Sequence, residues 1–217
     1  MKVKICGITS LKDLQTCKKV NPAFIGFINI KRSKRYIDIE KIRELKDSIN
    51  DLNKLVLVIE PKTAAEAMEK SEECGICNVQ LHSLSADEIS KIHGINIIKA
   101  IGISEKIDSL KKEEIKELAK VCPYLLFDFE VSGKSGGTGK QIPLKIALKA
   151  GKIAKNSNPN IKLIIAGGMN TDRIKKEGKV IKEIFDYVDV NSGIEDGPGV
   201  KNTLKIEEFM KNCKVIS

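Results

Sequence analysis

Two short turns in the last quarter of the chain, Gly167-Gly168 and Ser192-Gly193, carry the residue types of an anion cradle. Glycine lets backbone N–H groups approach a phosphate oxygen closely, and a helix that starts just beyond adds favourable partial positive charge. Either pair alone is an ordinary tight turn; the two together point to a phosphate-bearing ligand. Further upstream, polar residues close otherwise apolar runs: Cys6, Arg35 within SKRY, Gln80-Leu-His82, and Asp128, which precedes a third glycine-rich run, Gly136-Gly-Thr-Gly139. Only His82 and His93 are available as imidazole ligands, a poor supply for metal-dependent sugar chemistry.

The elements that must position these residues alternate between two patterns. Short β-rich runs are expected at Val3–Cys6, Phe24–Ile28, Leu55–Ile59, Ile76–Leu81, Ile95–Ile101, Tyr124–Asp128, Leu163–Ala166 and Tyr187–Asn191. Several are apolar at consecutive positions (LVLVI, LIIA), as parallel strands buried on both faces require. Between them lie helical stripes such as Ile39, Ile42, Leu45 and Ile49, or Ile107, Leu110, Ile115 and Leu118. Ser85-Ala-Asp-Glu88 has capping-box spacing, and Thr171-Asp172 is placed to cap a segment running towards Phe185.

Eight βα units with no linker predict one α/β domain over residues 1–217, a closed (β/α)8 TIM barrel. An open doubly wound sheet is the structural alternative, but the GxGxxG expected after its first strand is missing. A barrel gathers its chemistry at the carboxyl ends of the strands. That rule selects Cys6, Arg35, His82, Asp128, Gly167, Gly168, Ser192 and Gly193 as one candidate site.

Composition narrows the partners. The 217 residues are 41% apolar and 31% charged, which supports a folded core and argues against disorder. The net charge of +9 comes from scattered Lys with only four Arg (Arg32, Arg35, Arg43, Arg173), and aromatics are 4%. That is a solvated surface or an attraction for small anions, not the clustered, aromatic-interleaved surface of a nucleic-acid reader. No run reaches the ~18 apolar residues of a membrane span, and MKVKICGIT reads as a strand, so no membrane partner and a cytoplasmic location are expected. The six cysteines should be free thiols, with Cys74-Gly-Ile-Cys77 a coincidental CxxC.

The motifs KICGIT (Lys4–Thr9), GFIN…SKRY (Gly26–Tyr36), VQLH (Val79–His82), GGTGK (Gly136–Lys140), IAGGM (Ile165–Met169) and NSGIE…PGVK (Asn191–Lys201) together resemble the phosphoribosylanthranilate isomerase family. The likeness runs through nearly the whole chain in order. It departs at Ser83, where the family usually has Gly, at Gln141-Ile-Pro143, where aromatic and acidic residues are usual, and at Asn202, often Asp.

The resemblance implies an enzyme of tryptophan biosynthesis that turns N-(5-phosphoribosyl)anthranilate into 1-(2-carboxyphenylamino)-1-deoxyribulose 5-phosphate by an Amadori rearrangement. It implies Cys6 as general base, Asp128 as general acid and Arg35 as the grip on the anthranilate carboxylate; His82, at a strand end, is read as lining the site, and the loose spacing from Asp128 to Gly136 leaves Glu130 as an alternative acid. Such a reaction needs one acid and one base and no metal or other cofactor. At ordinary pKa values, however, the productive pair of neutral Asp128 and Cys6 thiolate would make up only about 10⁻⁵ of the enzyme at pH 7. The site is therefore expected to raise the carboxyl pKa, lower the thiol pKa, or both. Two other readings are another phosphate-binding barrel sugar-phosphate isomerase, and a non-catalytic basic binding protein that would tolerate loss of Cys6 and Asp128.

Overall fold

The computed structural model describes residues 1–131, 134–135 and 141–216. The chain runs β1 (Lys2–Cys6), α1 (Leu11–Val20), β2 (Phe24–Ile28), α2 (Ile39–Lys46), β3 (Leu55–Ile59), α3 (Ala64–Cys74), β4 (Asn78–Leu81), α4 (Ala86–Ile89), β5 (Asn96–Ile103), α5 (Ser109–Val121) and β6 (Tyr124–Val131). It continues through β7 (Lys134–Ser135), α6 (Leu144–Ser157), β8 (Lys162–Ile165), α7 (Thr171–Lys182), β9 (Tyr187–Val190), the strands β10 (Glu195–Gly197) and β11 (Val200–Lys201), and α8 (Thr203–Val215). Strands β5, β4, β3, β2, β1, β9, β8 and β6 pair in that order, all parallel, and β6 pairs back onto β5. The sheet is closed: a (β/α)8 barrel, as the alternating pattern predicts. Among the described residues, no helix is long and apolar enough to cross a membrane.

The consecutive apolar residues of each strand divide by parity between two cores. On β3, Leu55, Leu57 and Ile59 join the large cluster between barrel and helices, whereas Val56 and Val58 join a smaller cluster with Ile28, Ile98, Leu126, Ile164 and Ala166 inside the barrel. The period of two sends neighbouring side chains to opposite faces, so both must be apolar. Phe24, Tyr124 and Tyr187, with ring centroids 5.5–5.9 Å apart, pack one layer of this interior at the amino-terminal ends of their strands. The interior opens towards the carboxyl ends.

Side-chain caps set the helix starts. Ser10, Asp38, Thr63, Ser85 and Asp108 each accept from the amide three residues on, satisfying a donor that the helix cannot. The cap of α7 is Asn170, one residue before the expected Thr171. The helix opened by Ser85 spans only Ala86–Ile89, so His93 lies beyond it, exposed. Leu110 is exposed at the start of α5, because the buried stripe of that helix begins further on, at Ile115 and Leu118. The CxxC pair is a helix end: Cys74 is buried as the last residue of α3, Gly75 turns the chain at φ +66°, and Cys77 is exposed. All six cysteines are free thiols.

Candidate active site

A cavity of about 320 Å³ opens at the carboxyl ends of the barrel strands. Its wall includes Cys6, Arg35, His82, Asp128, Gly167, Gly168 and Ser192, seven of the eight residues selected from the sequence. The eighth, Gly193, stands behind the wall. A Cβ there would meet the Met169 carbonyl oxygen at 2.0 Å, so Gly193 lets the loops after β8 and β9 close on each other. The run Gly136–Lys140 lies outside the described residues. Glu130, the alternative acid, does not line the cavity and stands 3.7 Å from Lys111 Nζ on α5.

Cys6 ends β1, buried, beside Gly26 of β2; a Cβ on Gly26 would lie 2.8 Å from the Cys6 sulfur. Asp128 projects from β6, half-buried, and its Oδ1 accepts from the Phe129 amide at 2.7 Å. Burial pushes its carboxyl up to about 6, against the pull of that amide, and the Asp189 carboxylate adds to the rise. Burial also pushes the Cys6 thiol up, although the Lys4 ammonium works the other way. Of the two adjustments expected, the carboxyl makes its own and the thiol moves in the opposite direction.

Arg35 is buried, not a solvated surface charge. Its Nε donates to Glu195 Oε1 at 2.8 Å and its Nη2 to Oε2 at 2.6 Å, while Lys201 Nζ reaches Glu195 Oε1 at 2.8 Å. No described acceptor meets Nη1, so a second edge of the guanidinium remains for a ligand carboxylate. The β10–β11 pairing presents Glu195 and Lys201 together, and Thr9 Oγ1 ties the hairpin down by donating to the Gly199 carbonyl at 2.7 Å.

His82 faces the cavity next to Gln80, with His82 Nε2 and Gln80 Nε2 2.9 Å apart. Burial, assisted by Lys99 and Lys4, lowers its imidazole to about 4, so the ring is neutral near pH 7. In the loop after β8, Gly167 and Gly168 both have positive φ, +75° and +62°. Buried Arg173 of α7 braces that loop, donating to the Gly167 carbonyl at 3.0 Å.

Sequence reading missed one pair. Lys4 and Asp189 are register partners on β1 and β9, and Lys4 Nζ donates to Asp189 Oδ1 at 2.7 Å inside the barrel. The available signal was a charged residue at an inward position of each strand, Lys4 two residues before Cys6 and Asp189 within YVDV.

A model of the family described as N-(5'-phosphoribosyl)anthranilate isomerase matches residues 3–212. The chain belongs to this family. A relative of that name from Methanothermobacter marburgensis is 32% identical over 216 residues, covering 97% of this chain and 93% of its own. The phosphoribosyl anthranilate isomerase structure from Thermotoga maritima superposes with a TM-score of 0.82 at 26% identity, with 99% of both chains covered. A further phosphoribosyl anthranilate isomerase structure, in complex with reduced 1-(o-carboxyphenylamino)-1-deoxyribulose 5-phosphate, gives 0.77 at 25% identity, again over 99% of both chains.

Proposed function

We propose that this chain is the phosphoribosylanthranilate isomerase of tryptophan biosynthesis, and that Cys6 and Asp128 carry out its proton transfers. The observation that supports this most directly is a thiol and a raised-pKa carboxyl on one cavity wall, flanked by Arg35 and by the glycine turns after β8 and β9. With a pKa of about 6, roughly a tenth of Asp128 is protonated at pH 7, about a hundredfold more than for an ordinary carboxyl.

In this reading, Asp128 delivers its proton to the furanose ring oxygen. The C1–O bond breaks as the anilino nitrogen lone pair forms the C1=N iminium. Cys6, as thiolate, removes the C2 proton, and that electron pair forms C1=C2 while the iminium pair returns to nitrogen. The resulting enolamine gains a proton at C1 and loses one from the C2 hydroxyl, giving the ketone. Atoms and electrons balance without an external oxidant or reductant, and no metal is called on: one acid and one base suffice.

The free edge of Arg35 pairs the anthranilate carboxylate. Gly167, Gly168, Ser192 and Gly193 hold the phosphate with backbone amides, the arrangement these barrels favour after their last two strands. Neutral His82 lines the sugar portion. The substrate is thus a small molecule bearing a phosphate and a carboxylate.

The test is a fluorescence assay with freshly generated phosphoribosylanthranilate on the parent chain, Cys6→Ala and Asp128→Asn. The parent should consume the substrate, and each variant should lose on the order of 10²-fold or more. A folded parent without activity, or variants that keep it, would overturn the assignment.

A further inference from the structure

Among the described residues, Lys4 is one of the largest wholly buried side chains and the one charged member of that group, with no exposed surface. Its Nζ lies 2.7 Å from Asp189 Oδ1, itself almost buried, and Cys6 follows two residues along the same strand, on the same inward face. Interior neighbours on other strands, Val56, Ile98, Leu126 and Ile164, are apolar. Taking an ammonium and a carboxylate out of water is expensive, and an apolar pair of similar volume usually packs such a place at least as well. Stability alone therefore gives no account of Lys4 and Asp189, whereas their neighbours do: Cys6 on one side, the cavity on the other, where Asp189 forms part of the wall.

Other groups also face the thiol. Lys201 of β11 and Arg35 of the loop after β2 are cations, and Gly26 on β2 carries no charge. Asp128 on β6 and His82 on β4 share the same cavity. Lys201 and Arg35, however, are both bonded to Glu195. Lys4 is the cation that shares the strand and the inward face of the thiol, two residues away.

We propose that Lys4 and Asp189 are a positioning pair for the rearrangement: the buried Lys4 ammonium, inward on β1 like Cys6, favours the base form of the thiol, and Asp189 fixes Lys4 while its negative charge keeps the proton on Asp128. The proposal rests on the reading of Cys6 as base and Asp128 as acid. It gives the two members of one ion pair opposite effects on one sulfur. The ammonium favours thiolate, and the carboxylate opposes it.

That opposition is testable without substrate. In a Cys77→Ser background, which removes the exposed thiol, iodoacetamide alkylation of Cys6 is followed against pH for the parent, Lys4→Met and Asp189→Asn, with Cys6→Ser as blank. Lys4→Met should move the alkylation midpoint up and slow the reaction at pH 8 about tenfold, while Asp189→Asn should move it down. In the activity assay, Lys4→Met should lose about 10- to 100-fold in kcat with little change in KM.

If Lys4→Met leaves too little folded protein, Lys4→Met/Asp189→Leu removes both charges together. It should still move the midpoint up, because Lys4 shares the strand and face of Cys6 whereas Asp189 stands on the neighbouring strand, opposite Lys4. Midpoints within about half a pH unit of the parent, or shifts of the same sign in both single variants, would overturn the pairing. Failure of the parent to turn over phosphoribosylanthranilate would instead overturn the proposed function, since alkylation reports on the thiol alone.

Discussion

Arg35 and Glu195, 160 residues apart in sequence, meet in a buried two-pronged ion pair whose Nη2–Oε2 distance is 2.6 Å. The carboxylate also takes Lys201 Nζ, so one anion serves two buried cations. Burial alone would raise the Glu195 carboxyl, yet Arg35 and Lys201 hold it below the usual range. In Glu195→Gln, two cations are left without their counter-charge and Arg35 loses its orienting partner. Urea unfolding should show a loss of about 3 kcal/mol. KM should rise about tenfold with kcat nearly unchanged, because the lost contact binds the carboxylate and not the reacting carbons. An unchanged KM would mean that Arg35 does not meet the substrate.

Asp128 carries a stability cost that its catalytic reading explains. Its pKa rises from an ordinary 3.8 to about 6 on folding. Between about pH 4 and 6 the unfolded carboxyl has lost its proton while the folded one retains it, so this residue makes stability fall as pH rises through that window. Above pH 6 the cost is fully present, on the order of 3 kcal/mol. Asp128→Asn should therefore be more stable than the parent at pH 7 by about that amount and should show no such gain at pH 4. Paired urea melts at the two pH values check this; a gain of equal size at both would remove the ionisation argument.

The fold was legible because parity and period are local. Leu55–Val56–Leu57–Val58–Ile59 is readable as a doubly buried strand with no knowledge of its partners, and Gly167-Gly168 after β8 and Ser192-Gly193 after β9 announce tight turns. Cys6, Arg35 and Asp128 were legible through the motifs around them and through the rule that barrels gather chemistry at strand ends. Lys4, Asp189 and Glu195 were not, because their meaning depends on which strand lies alongside. Lys4 opposes Asp189 only once β1 and β9 pair to close the sheet, and Glu195 finds Arg35 only after the β10–β11 hairpin turns back. The direction of the Cys6 shift was equally out of reach. It is set by burial and Asp189 on one side against Lys4 and Lys201 on the other, and burial prevails.

Gly26 makes the space that the Cys6 thiol occupies. It sits beside Cys6 in the β1–β2 register, and an added Cβ would lie 2.8 Å from the sulfur and 3.3 Å from the Cys6 Cα. Neither is the free end of a flexible side chain, so Gly26→Ala must push the thiol or the strand aside. Misplacing a reacting group by about 1 Å costs on the order of 10²-fold. We expect kcat to fall by 10- to 100-fold with KM within about threefold, and the alkylation rate of Cys6 to change in the ligand-free protein. Full activity in Gly26→Ala would show that the sulfur has room to spare.

Gly193 tests the proposed phosphate cradle from behind. A Cβ at this position would come within 2.0 Å of the Met169 carbonyl oxygen and 2.9 Å of the Asn170 Cβ, contacts that backbone cannot tolerate. Gly193→Ala must therefore separate the loops after β8 and β9, spreading the amides around Gly168 and Ser192. Such a cradle depends on several donors converging on one anion, so a small spread weakens all of them together. Inorganic phosphate should inhibit the parent competitively, and its inhibition constant should rise about tenfold or more in Gly193→Ala. The substrate KM should rise in step, while the pH dependence of kcat, which the proposed mechanism assigns to Cys6 and Asp128 on β1 and β6, stays where it was. If phosphate inhibition survives the substitution intact, the anion is held somewhere other than between these two loops.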